Sequence, residues 1–142
     1  MDTQFLVREH IDIGRRLMER VRSAHGVDIV AAFWLKDEEL GFWRLIFISP
    51  DVTVEGKGPI WAYAMIGSAV YDVENDPESY TKVNPEALAA VYDVVSVLSP
   101  ATRIFIDLQR ALTASGRSEL RNSKLRDAYV YEMTAAPEPV AR

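Results

Sequence analysis

The chain has 142 residues, 49% hydrophobic, 26% charged and 10% aromatic, with a formal net charge of −5 and no cysteine. That length suits one domain able to bury roughly two thirds of its unfolded surface, and the composition lies far from that of disordered chains. The missing cysteine excludes disulfide frameworks, thiolate zinc sites and cysteine nucleophiles, and the acidic balance argues against nucleic acid, whose phosphates are held by Lys and Arg.

Met1, Asp2, Thr3, Gln4 and Phe5 carry none of the basic and apolar pattern of a secretory leader, and the longest mostly apolar stretch, 60–70, is short of the roughly 20 residues a spanning helix needs. A cytoplasmic protein without membrane contact is expected. Thr3 or Asp2 can cap a first helix, on which Leu6, His10, Ile13, Leu17 and Val21 recur three and four apart and form one apolar stripe. On that stripe His10 reads as a packed core histidine rather than a general base, and His25, next to the helix-ending Gly26, as a partner for the last carbonyls.

Residues 27–35 are almost wholly apolar and rich in β-branched and aromatic side chains, so they read as a strand. A turn over 36–41 and a second strand over 42–48 complete a hairpin. Both strands are apolar on both faces, which places them centrally in a sheet covered on each side and makes Trp34 and Trp43 core residues. After Ser49-Pro50 and a loop over 51–58, Pro59 opens a helix to about Tyr71 that contains no charge. Such a helix is expected to be buried on several sides, with Ala64, Gly67 and Ser68 allowing close approach by the sheet or by a partner subunit.

Residues 72–86 are acidic and rich in helix breakers, so a surface loop is expected. Asn84-Pro85-Glu86 suggests a short helical turn through Ala90, and a strand follows over 92–98. Ser99 and Pro100 then cap a further helix with a stripe of Ile104, Leu108, Ala111 and Leu112, ended by Gly116. A polar link over 117–124 leads to a last strand over 125–133, with Tyr129, Tyr131 and Met133 on one side and Ala128 and Val130 on the other. Together these elements describe an α+β domain over 1–133, a mixed and mainly antiparallel sheet of about four strands with three helices packed on it in the order α-β-β-α-β-α-β. The remaining 134–142, with Pro137 and Pro139, read as a flexible tail.

Chemistry is sparse. Pro50-Asp51 followed by Glu55-Gly56-Lys57 has the letters of a metal-dependent nuclease signature, in which carboxylates hold magnesium and a lysine assists the attacking water. In that signature the Asp and the Glu-x-Lys lie on separate strands, whereas here one loop would carry Asp51, Glu55 and Lys57. A solvated loop is the preferred reading, and a small hydrolase or nuclease the alternative. Gly56-Lys57-Gly58 lacks the spacing of a phosphate-binding loop, and neither Ser49 nor Ser99 sits in a nucleophile elbow. Trp34, Trp43, Trp61, Tyr63, Tyr71, Tyr129 and Tyr131 read as core rather than as a stacking platform for single strands. Acids dominate residues 37–93 and bases dominate 103–126, so Arg103, Arg110, Arg117, Arg121, Lys124 and Arg126 are candidates for contacting an anion or an acidic partner.

The segments Ala32-Phe33-Trp34, Trp43-Arg44-Leu45 and Ile48-Ser49-Pro50, with Ser96-Val97-Leu98-Ser99-Pro100 and Tyr129-Val130-Tyr131, resemble a family of short bacterial proteins with no assigned activity. The resemblance covers most of the chain and implies a bacterial, cytoplasmic single domain, bringing no cofactor or site. Three functions follow as expectations: a non-enzymatic interaction module that forms a homodimer, a metal-dependent hydrolase, and a small-molecule-binding domain. The first is favoured by the uncharged helix and the polarised charge, with no cofactor or metal expected.

Overall fold

A computed structural model describes residues 6–37, 41–53, 56–76, 83–115, 119–120 and 128–133. The architecture is α+β, with a mixed sheet and helices on both of its faces. Helix α1 (Arg8–His25) leads into strand β1 (Ala31–Asp37), which pairs antiparallel with β2 (Phe42–Ile48). A 3-10 turn (Pro50–Val52), α2 (Pro59–Glu74) and α3 (Pro85–Asp93) then carry the chain to β3 (Val95–Leu98), which lies parallel to β2. Helix α4 (Arg103–Ser115), the two-residue strand β4 (Glu119–Leu120) and β5 (Ala128–Met133) complete the fold. The strand order is β3-β2-β1-β5-β4, so the hairpin strands are interior as their two-faced apolarity requires.

Side-chain alternation divides the hairpin between two cores. Ala32, Trp34, Trp43, Leu45 and Phe47 point to one face, where α1, α2 and α3 cover them with Leu17, Val21, Ile66, Ala69, Leu88 and Val91. Ala31, Phe33, Leu35, Ile46 and Ile48 point to the other, where Phe105 and Leu108 of α4 meet them. Each large side chain so buried contributes about 1.5–3 kcal/mol. A parallel β2–β3 pair demands a crossover, and α2 and α3 supply it, which is why α2 comes to lie beside α1. On β5, Tyr129 and Tyr131 pack against the first core and Ala128 and Val130 against the second, in the expected alternation.

Several boundaries differ from expectation for local reasons. Helix α1 starts at Arg8 with Val7 as its N-cap; the expected caps, Thr3 and Asp2, lie outside the described residues. Its far end is as expected: Gly26 takes the left-handed φ of 68°, and its N–H and that of the buried Val27 both turn to the Val21 carbonyl. The expected short turn near Ala90 is a full helix, α3, because Asn84 accepts the Glu86 N–H at 2.9 Å and Ala87, Leu88 and Val91 form a buried stripe. That helix consumes Tyr92, and β3 begins only at Val95.

Among the described residues, four helices therefore stand where three were expected. Ser99 and Pro100 form a turn instead of a helix cap: Ser99 Oγ accepts the Ala101 N–H at 3.0 Å, and α4 starts at Arg103. Of the expected stripe, Leu108 faces the sheet beside Phe105, whereas Ile104 is exposed. Gly116 and the expected tail over 134–142 lie outside the described residues. Among the described residues, no helix is long and apolar enough to cross a membrane.

Candidate functional site

Helix α2 begins on a self-tied loop. Ser49 Oγ accepts the Asp51 N–H at 3.1 Å, and the Asp51 carbonyl accepts the N–H groups of Lys57 and Gly58, each at 2.9 Å. Gly56 is needed for this closure, since a Cβ there would stand 2.9 Å from the carbonyl oxygens of Pro50 and Asp51. The Asp51 carboxylate accepts the Asp28 N–H at 2.9 Å, and Lys57 Nζ lies 4.3 Å above the Trp61 ring. Asp51 and Lys57 thus have structural partners, and Glu55 lies outside the described residues. Among the described residues, no group of three or more His, Asp or Glu side chains could hold a metal ion.

The basic candidates are only partly in view. Arg103 Nε pairs with Asp107 at 3.2 Å along the exposed surface of α4, and Arg110 is exposed farther along it. Arg117, Arg121, Lys124 and Arg126 lie outside the described residues. His10 is buried and stacks on Trp34, with ring centroids 6.4 Å apart. The Trp34 indole N–H donates to the Tyr131 hydroxyl at 2.7 Å, which donates in turn to the Ile11 carbonyl. Burial pushes the Tyr131 phenol up from its ordinary pKa of 10.0, which keeps this relay protonated and neutral.

His25, in the last turn of α1 as expected, also reaches across to α2. Its Nε2 lies 2.7 Å from Asp72 Oδ2 on α2, and Arg20 Nε reaches the same oxygen at 3.0 Å. The His25 contact, and then that of Arg20, hold the Asp72 carboxyl below its ordinary value of 3.8. Beside this ion pair, Arg16, Arg20 and Ser23 of α1, Tyr71 and Asp72 of α2 and its C-cap Asn75 line an open cleft of about 400 Å³. Within it, Asp72 is already engaged by Arg20 and by the neighbouring His25.

The larger departure from expectation is α2 itself. Only Ala62, Ile66, Ala69 and Val73 are buried, all on one side. On the opposite side Ile60 is 88% exposed, Tyr71 68% and Tyr63 40%, with Ala64 exposed between them. The helix is covered by α1, α3 and β3, with Trp61, Met65 and Val70 partly buried against the same core, but it is open along this one stripe. Tyr63 and Tyr71, expected in the core, are at the surface, whereas Trp34 and Trp43 are buried as expected.

Next to this stripe, Tyr92 of α3 is 43% exposed, with its hydroxyl over Gly67 at 3.3 Å from where a Cβ would be. The Tyr63 hydroxyl accepts the Val97 N–H at 3.0 Å, occupying a backbone donor of β3, the terminal strand of the observed order. Sequence reasoning found the stripe residues but not their direction; it singled out His25 but missed its partners Asp72 and Arg20, and the place of Tyr92 beside the stripe. No protein-family model, curated protein or solved structure matches this chain.

Proposed function

We propose that this chain is a non-enzymatic protein-interaction module that self-associates as a homodimer through the outward face of α2. The observation that carries the reading is that the helix is uncharged from Pro59 to Tyr71 yet stays open along one stripe, where Ile60, Tyr63, Ala64 and Tyr71 are exposed beside Tyr92. Single exposed apolar residues are ordinary, but a contiguous patch along one element marks a contact surface. The lack of cysteine and the resemblance to short bacterial proteins support a bacterial, cytoplasmic setting.

Sedimentation equilibrium of the full chain over a wide concentration range tests the reading. The expected result is a reversible species of twice the 16.0 kDa chain mass that Ile60→Glu converts to monomer. A chain that stays monomeric at high concentration, or a dimer indifferent to Ile60→Glu, overturns it.

A further inference from the structure

From the residues along α2 we infer that the second copy docks antiparallel across a two-fold axis passing between Met65 and Ile66. This inference rests on the self-association reading and adds its geometry. In a two-fold contact the same patch serves both copies, so each residue must suit the one at the mirrored distance from the axis.

The outward stripe meets that condition around one centre. Ala64 of one copy falls opposite Gly67 of the other, where the Tyr92 hydroxyl borders the contact. Ile60, the most exposed of the large apolar side chains, falls opposite Tyr71, the next most exposed. One step farther out, Lys57, exposed just before the helix, falls opposite the exposed Glu74 at its last position.

Charge and dipole both select this direction over the parallel one. Lys57 stands at the positive end of α2, while Glu74 and Asp76 are exposed at its negative end, where Asp72 is already paired with Arg20 and His25. Antiparallel docking sets the cationic end of each helix against the acidic end of the other, twice. Parallel docking would set Lys57 against Lys57 and the acids against each other. The flanking charges thus fix orientation while the uncharged middle supplies the contact.

Because the chain has no cysteine, introduced thiols report the pairing without background. Ile60→Cys and Tyr71→Cys replace exposed side chains and leave the core untouched. Under mild oxidation, a mixture of the two single variants should give a disulfide-linked heterodimer. Neither alone should cross-link efficiently, because antiparallel docking sets like positions roughly 16 Å apart along the helix at 1.5 Å per residue.

Self-cross-linking of Ile60→Cys alone would establish a parallel arrangement and overturn this geometry while leaving self-association intact. A dimer by sedimentation with no cross-link in any combination would place the contact elsewhere and overturn it as well. A monomer by sedimentation would instead remove the reading on which it rests. As an independent arm, Lys57→Glu should weaken the dimer by several-fold to roughly tenfold, and adding Glu74→Lys should restore it. Failure of the swap to restore affinity rejects the Lys57–Glu74 pairing.

Discussion

Replacing Gly14 by alanine should destabilise the protein, although the same change in an exposed helix interior stabilises by about 1 kcal/mol. A Cβ on Gly14 would stand 2.3 Å from the Tyr131 hydroxyl oxygen, 3.1 Å from its Cζ and 3.2 Å from Trp34 Nε1. The hydroxyl cannot swing aside, because it accepts from Trp34 and donates to the Ile11 carbonyl, and the ring is wedged between α1 and β5. Overpacking of this kind costs about 1–3 kcal/mol, and displacing the relay adds about 1 kcal/mol per hydrogen bond. With both hydrogen bonds of the relay lost and the propensity gain set against them, the net is a loss of about 2–4 kcal/mol, or a drop in Tm of roughly 5–15 °C for a domain of this size. Urea denaturation with an unchanged m-value measures it. Tyr131→Phe removes the atom in closest conflict, so Gly14→Ala should cost about 1 kcal/mol less in that background. A Gly14→Ala variant as stable as the parent would show that α1 does not press on Tyr131 and would refute the packing described for this core.

Two pH effects follow from the shifted groups, with opposite signs. Tyr131 has a raised value in the folded chain, so the unfolded chain loses that proton first. Its contribution is complete below pH 10.0 and declines as pH rises above it, a decline that Tyr131→Phe should abolish in alkaline denaturation curves. Asp72 has a lowered value, so the unfolded chain takes up the proton first. Its contribution is complete above pH 3.8 and is lost as pH falls through the folded value. The acid step should be small, weakened by salt because the Arg20 pair is at the surface, and absent in Asp72→Asn.

The parts of the fold legible in the sequence are those where burial is written twice. Residues in β1 and β2 are apolar on both faces, and no edge strand of a solvated sheet tolerates that, so their interior placement followed directly. The α1 stripe and the Gly26 turn were similarly overdetermined. Ser99-Pro100 was ambiguous because a serine followed by proline suits both a turn and a helix start, and only the path from β3 to the opposite sheet face selects the turn. The Arg20–His25–Asp72 cluster had no local signal at all, since its members are separated by 52 and 47 residues and meet through the crossover.

For α2 the difficulty is of a different kind. An amphipathic helix declares its inward side by its polar outward one, but a helix uncharged throughout offers no such contrast. Contact with the sheet and α1 accounts for Ala62, Ile66, Ala69 and Val73 and leaves Ile60, Ala64 and Tyr71 without a role in this chain's own core. The strength of any dimer follows from the same residues. Ile60 and Tyr71 from each of two copies, at about 1.5–3 kcal/mol per buried side chain, give a gross gain of about 6–12 kcal/mol. Association itself costs about 4–15 kcal/mol in lost freedom, so a seam of one helix supports a dimer of micromolar to millimolar affinity. A nanomolar dimer would require surface beyond α2, and Ile60→Glu would then fail to dissociate it.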